Sequence, residues 1–155
     1  MGIFIVSRHT KYYRFVQASR PLENHKTNVM NVDKLLLVGL GGFLGSVARY
    51  ITTKVVDEKL NAVFPYGTLT VNILGSFLLG VIYVLALRNT NLSENGRLFL
   101  GVGFCGGFTT FSAFALENFR LIQEKLVGTS VLYMSVSVVA GILAMAAGVW
   151  TARFL

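Results

Sequence analysis

The stretch GFCGGFTTFSAF, residues Gly103 to Phe114, lies in the middle of a hydrophobic segment long enough to cross a membrane. It has no acidic or basic residue, yet it combines glycines with threonines and a serine. Glycine weakens a helix, and a hydroxyl group in lipid is unfavourable unless it is hydrogen-bonded. The stretch therefore predicts a membrane helix that is broken in its middle, where freed carbonyls and hydroxyls are put to use.

The composition of the whole chain indicates a membrane protein. Hydrophobic residues make up 54% and charged residues only 14% of the 155 residues, whereas charged residues make up about 25% of a soluble domain. Four apolar segments each reach roughly the 20 residues that a membrane-spanning helix needs. They cover residues 35–56, 67–87, 98–122 and 127–152. We therefore predict an all-α membrane protein in which residues 30–155 form one domain of four transmembrane helices.

Residues 1–29 differ in character from the rest of the chain. They contain five basic residues and one acidic residue, against nine basic and six acidic residues from Met30 onward. We predict an N-terminal extension that is either an amphipathic surface helix or disordered, with the alternative that Met30 is the natural start. The four hydrophobic spans leave little room for a solvated basic surface, so no nucleic-acid partner is expected.

The basic residues of the helical part do not favour one orientation in the membrane. With the N-terminus on side one, that side carries four basic residues and the opposite side carries five. The positive-inside rule needs a bias to select an orientation. We therefore expect insertion in both orientations, which allows two opposed copies to pair as an antiparallel dimer. If residues 1–29 are present, side one rises to nine basic residues and the N-terminus should prefer the cytoplasm.

Several classes of function are disfavoured by what the sequence lacks. It has no nucleotide-binding loop, no zinc-protease helix motif and no metal-ligand spacing, so an enzyme is not expected. A small multidrug exporter needs an ionisable carboxylate inside the membrane, and Glu117, the acidic residue in the third segment, lies near the end of that segment. A non-transporting assembly subunit, whose glycines and hydroxyls only pack helices, remains an alternative.

Two polar side chains lie within the first two spans. Arg49 is near the far end of the first span, where it is either an interfacial anchor or a fixed positive charge at a water-filled vestibule. Asn72 is about a turn and a half into the second span. Its amide either hydrogen-bonds to a neighbouring helix or donates toward a pore. The pair Gly41 and Gly45 forms a GxxxG face for close helix packing.

Aromatic and hydroxyl side chains mark the last two spans. Phe111 and Phe114 are three residues apart and share a face of a resumed helix, where they either pack or point their positive ring edges into a pore. Thr129, Tyr133 and Ser137 are spaced by four and form a stripe of hydroxyls. This stripe either joins helices by hydrogen bonds or lines an anion path.

These sequence features together resemble those of the Fluc (CrcB) family of fluoride channels. The resemblance rests on GGFLGSVARY at 41–50, GTLTVNILG at 67–75 and GFCGGFTTFSAF at 103–114. It covers about residues 31–155, and the third motif is the most specific. The resemblance implies a passive, fluoride-selective channel that exports fluoride across the cell membrane and relieves its toxicity. It also implies an antiparallel homodimer or heterodimer with two pores, each lined by both subunits.

The resemblance further implies roles for individual residues. A structural sodium ion at the two-fold axis would be held by the backbone carbonyls of Gly106 and Thr109. The pore-lining residues would be Asn72, Phe111, Ser112, Phe114, Tyr133 and Ser137, with Arg49 near an entrance. Two positions depart from the family pattern: Ala113 stands where a threonine is usual, and Gly141 continues the hydroxyl stripe of the fourth span where a hydroxyl is often found.

Overall fold

In the computed structural model, the described residues, 31–88 and 92–154, form helices joined by short connections. The predicted extension 1–29 lies outside them. Helix α3 has three successive parts, Glu94–Arg97, Leu98–Cys105 and Gly106–Phe108. The other helices are α1 (Val32–Leu60), α2 (Tyr66–Leu87), α4 (Phe111–Gln123) and α5 (Val127–Thr151).

Within the described residues, four spans are long and apolar enough to cross a membrane, which confirms the predicted all-α fold with four candidate membrane helices. They are Val32–Leu60, Tyr66–Leu87, Glu94–Gln123 and Val127–Thr151, with α3 and α4 together making up the third. The second and fourth spans lie within one residue of the predicted bounds at each end. The first and third extend further than the hydrophobic run alone indicates.

The predicted end of α1 is wrong by one helical turn. Residues 57–60, of which the first three are charged, were expected in a connector, but they continue the helix to Leu60. Asn61 then ends α1 with a φ of 40°, and its N–H donates to the Asp57 carbonyl at 2.8 Å. Asparagine tolerates this left-handed conformation, which is a common way to stop a helix. The Asp57 carboxylate in turn accepts a 2.8 Å hydrogen bond from the N–H of Gly67 and so joins the end of α1 to the start of α2.

Helix α3 begins four residues before the predicted third span. Ser93 caps it by accepting a hydrogen bond from the Gly96 N–H at 3.1 Å, and Lys34 of α1 forms an ion pair with Glu94. The middle part, Leu98–Cys105, is a π-helix, which the sequence did not predict. A π-helix has a wider turn than an α-helix and is often found at functional sites.

The helices pack in two pairs, α1 with α3 and α2 with α5, and glycines bring the backbones together. A Cβ added at Gly41 or Gly45 of α1 would overlap a backbone carbonyl of α3. The same holds for Gly148 of α5, where a Cβ would overlap the Phe77 carbonyl of α2. The predicted packing role of Gly41 and Gly45 is therefore confirmed. Small residues at such contacts are typical of helix association in membranes.

Candidate functional site

Two extended residues separate α3 from α4 in the third span. Thr109 has φ −87° and ψ 157°, and Thr110 has φ −150° and ψ 124°. Gly106 and Gly107, whose flexibility suggested an interruption, are themselves helical and precede the extended pair. Thr110 caps α4 because its hydroxyl accepts a hydrogen bond from the Ala113 N–H at 3.2 Å.

Asn72 of α2 holds this extended pair through both ends of its amide. Its Nδ2 donates to the Thr110 carbonyl at 3.1 Å, and its Oδ1 accepts from the Thr110 N–H at 2.8 Å. The side chain therefore replaces the partners that the Thr110 backbone would have in a continuous helix. Of the two predicted alternatives, the hydrogen bond between helices is present, and the role in a pore stays a prediction.

Arg49 of α1 contacts the same region from the other side. Its Nε donates to the Gly107 carbonyl at 3.0 Å, and the side chain is half-buried. Neither predicted alternative, an interfacial anchor or a charge at a vestibule, included this bond. Thr109 completes the pairing, because its N–H and its hydroxyl donate to the Cys105 carbonyl at 3.0 and 2.9 Å. Three carbonyls near the interruption thus have donors from the protein itself.

An open groove of about 400 Å³ lies between α2, α3, α4 and α5 beside the extended pair. It brings together six of the predicted site residues: Asn72, Gly106, Thr109, Phe111, Phe114 and Ser137. The other lining residues are Gly75, Ser76, Leu79, Gly101, Cys105, Thr110, Val138 and Gly141. Arg49, Ser112 and Tyr133 do not line it. Ser112 is exposed, and its hydroxyl is 3.2 Å from that of Thr110.

Aromatic rings continue from the groove toward the start of α2. The ring centroids of Phe111 and Phe114 are 5.6 Å apart, so the two rings are neighbours, as their three-residue spacing predicts. The Phe114 ring is 5.1 Å from that of Tyr133, which is 5.3 Å from that of Phe64. Phe111 is 79% exposed although it is a large apolar side chain. Rings at these distances present both faces and positive edges to whatever fills the space beside them.

Tyr133 is fully buried and belongs to a polar cluster that the sequence did not predict. Its hydroxyl donates to the Glu117 carboxylate at 2.7 Å, and the Thr68 hydroxyl donates to the other carboxylate oxygen at 2.6 Å. Glu117 therefore joins α2, α4 and α5. The sequence did contain a sign of this cluster: an acidic residue within an apolar segment, and a tyrosine and a threonine in neighbouring spans with which it could form hydrogen bonds.

The Ser137 hydroxyl is buried and has no hydrogen-bond partner within the described part of the chain. It lies on α5 one turn after Tyr133 and faces the groove. An unpaired buried hydroxyl costs about 1–3 kcal/mol. A small bound anion or a water molecule in the groove would remove this cost.

The donor set near the interruption fits a hard cation such as sodium. Among the described residues, no three His, Cys, Asp or Glu side chains lie close enough to hold a metal ion. Backbone carbonyls are suited to sodium. Gly106 has open space where a Cβ would be, and the extended ψ of Thr109 turns its carbonyl away from the helical direction. Sodium binding by the Gly106 and Thr109 carbonyls stays a prediction.

Comparison with known proteins gives a family match over most of the chain. A family model described as CrcB-like protein, Camphor Resistance (CrcB), matches residues 36–149. A protein of Chlorobium chlorochromatii named fluoride-specific ion channel FluC is 47% identical over 127 residues, which cover 80% of this chain and 98% of the relative. A protein of the same name from Caulobacter vibrioides is 46% identical over 123 residues, covering 79% of this chain and 97% of the relative. These relatives are named as channels and not as enzymes.

Proposed function

Because the chain belongs to the CrcB family, whose curated relatives are named fluoride-specific ion channels, we propose that it is a passive, fluoride-selective channel. It carries fluoride out of the cell across the plasma membrane, down the electrochemical gradient of the ion, and so relieves fluoride toxicity. The observation that best supports this role is the unpaired Ser137 hydroxyl beside Phe111 and Phe114 in one groove. It is a buried hydrogen-bond donor without an acceptor among the described residues, in a space lined mostly by apolar groups.

Fluoride is small and strongly hydrated, so an apolar passage alone would exclude it. In the proposed path, hydroxyl donors such as Ser137 and the remaining amide hydrogen of Asn72 replace part of the hydration shell. The positive edges of Phe111 and Phe114 replace another part without holding the ion as a full charge would. Binding that is shared among weak sites lets an ion both enter and leave.

We further propose that two copies assemble as an antiparallel dimer with two pores. The groove is open on one side, and Phe111 beside it is largely exposed, so a second copy is needed to enclose the path. A sodium ion between the copies is held by the Gly106 and Thr109 carbonyls of this chain and fixes the interruption of the third span. The near-even charge balance of residues 30–155 supports a homodimer, with a heterodimer as the alternative.

Fluoride efflux from liposomes that contain the purified protein tests this function, both with the full-length chain and with the chain from Met30, which has no charge bias against antiparallel pairing. A fluoride electrode and a chloride electrode record the two ions in parallel. We expect rapid fluoride efflux without chloride efflux, and loss of fluoride efflux in the Phe111→Ile, Phe114→Ile variant. Phe119→Ile is the matched control, because Phe119 is on α4, is 58% exposed and does not line the groove.

Two results would count against the proposal. Equal efflux of both ions would exclude a fluoride-selective pore. Absence of efflux from a well-folded dimer would favour a required second subunit, or the assembly subunit whose phenylalanines only pack.

A further inference from the structure

A second hydroxyl faces the groove from α2, and no role has yet been given to it. Ser76 lines the groove one turn after Asn72, so the two side chains share a face of α2. On α5, Ser137 and Gly141 share a face in the same way. The Ser76 Oγ lies 3.8 Å from the position that a Cβ would take at Gly141. The two faces therefore meet across the groove.

The Ser76 side chain, like that of Ser137, has no hydrogen bond within the described residues. Other hydroxyls on α5 do not behave in this way. Those of Ser135 and Thr151 each donate at 2.8 Å to the carbonyl four residues earlier, which is the usual local partner. Two serines that face one groove and both lack such a bond are free to donate to a molecule in the groove.

The surroundings of the two hydroxyls favour a small anion as that molecule. Leu79, Val138 and the phenylalanine rings make most of the nearby lining apolar. None of the groove-lining residues is acidic or basic, so a bound ion is not trapped by a full charge. Gly141 has no side chain, and a Cβ built there would meet only the Ser76 Oγ, at 3.8 Å.

We propose that Ser76 is a pore-lining residue that donates its hydroxyl to the permeating anion from α2, across the groove from α5, the helix that carries Ser137. This inference rests on the proposed channel function and adds a specific donor to it. The anion at this level of the groove is bound between α2 and α5.

The test measures fluoride efflux from liposomes with the full-length parent and its variants. Because a hydrogen bond to a charged group is stronger than one between neutral groups, we expect Ser76→Ala to lower the efflux rate about tenfold, which corresponds to about 1.4 kcal/mol. Ser76→Thr, which keeps the hydroxyl, should stay close to the parent rate. Ser135→Ala removes a serine hydroxyl of α5 that does not face the groove and should leave the rate unchanged.

Gly141 allows a rescue experiment with a matched control. A Cβ at this position meets only Ser76, at an ordinary van der Waals distance, so serine and alanine both fit. In the Ser76→Ala background, Gly141→Ser returns a hydroxyl to the opposite wall and should restore most of the rate. Gly141→Ala in the same background adds the carbon without the hydroxyl and should not restore it.

Each possible result supports or overturns the proposed role of Ser76. Parent-like efflux from Ser76→Ala, or equal rescue by Gly141→Ala and Gly141→Ser, would overturn the inference and leave the channel function intact. A parent protein that conducts no fluoride would overturn the proposed function and the role of Ser76 with it. If Ser76→Ala does not elute as a folded dimer, the Ser76→Thr rate decides: a large loss with the hydroxyl still present contradicts the proposal.

Discussion

Arg49 and Asn72 illustrate how single side chains stabilise an interruption in a membrane helix. An unpaired backbone group in the hydrocarbon region costs several kcal/mol, so each group freed at Thr109 and Thr110 needs a partner. Asn72 is suited to the Thr110 peptide because its amide carries a donor and an acceptor, as a backbone peptide does. Arg49 is suited to bind the Gly107 carbonyl because its long, charged side chain reaches that carbonyl from α1.

The bond from Arg49 to the Gly107 carbonyl gives a prediction about stability. Arg49→Met keeps most of the side-chain volume but removes the donor, and should lower the free energy of unfolding by roughly 2 kcal/mol, since the bond involves a charged group. Denaturation in detergent, followed by circular dichroism, measures this loss. Lys54→Met is the control. Lys54 forms only an exposed pair with Glu58 at 3.9 Å, worth less than about 1 kcal/mol. Equal stability of the two variants would show that the Arg49 bond contributes little.

The helices show which features were predictable from sequence and which were not. The four spans were predictable because a run of about 20 apolar residues is seldom found outside a membrane-spanning helix. The end of α1 and the start of α3 were not predictable, because residues 57–59 are charged, residues 94–97 contain no apolar side chain, and both segments become helical next to caps at Asn61 and Ser93. The π-helix Leu98–Cys105 was also missed, since its sequence suits an α-helix equally well.

At the candidate site, the residue types alone pointed to Asn72 and to the phenylalanines Phe111 and Phe114. The hydrogen-bond partner of Arg49 and the contacts of Glu117 could not be predicted, because they come from helices that are distant in sequence.

The close contact between α1 and α3 gives a prediction at the scale of the helix. A Cβ at Gly45 would overlap the Phe104 carbonyl, which is backbone and moves only with the helix. Gly45→Ala should therefore separate the helices and lower the free energy of unfolding by about 1–3 kcal/mol, the usual cost of overpacking. Gly39→Ala on the same helix is the matched control. It meets nothing within 4 Å and should keep or raise stability, because alanine favours helix more than glycine does. The same denaturation assay compares them, and a smaller loss for Gly45→Ala than for Gly39→Ala would contradict the described packing.

The described helices expose many large apolar side chains, as a protein in lipid should. Large apolar residues on α1, such as Phe43 and Tyr50, are more than 60% exposed, and so are Ile142 and Leu143 on α5. Lipid or a second copy must cover these surfaces. The basic residues of 30–155, four on one side and five on the other, do not distinguish the two sides of the membrane.

Orientation in the membrane is therefore expected to depend on the N-terminal residues. The chain from Met30 carries four basic residues on one side and five on the other, so about half of its copies should insert each way. The full chain has nine against five and should place its N-terminus in the cytoplasm. A single cysteine at Val63, which is exposed between α1 and α2, reports orientation through a membrane-impermeant thiol reagent in a Cys105→Ala background.

We expect this reagent, added outside intact cells, to label about half of the Met30 chain and nearly all of the full chain, because only the full chain has a charge bias. A cysteine at Asn95, exposed at the start of α3 on the other side, is the control and should show the complementary labelled fraction. Complete labelling of the Met30 chain from one side would contradict insertion in both orientations. An antiparallel pair would then require a differently oriented partner chain. Half labelling of the full chain would instead show that the charges of residues 1–29 do not set orientation, and would leave an antiparallel homodimer open to the full chain as well.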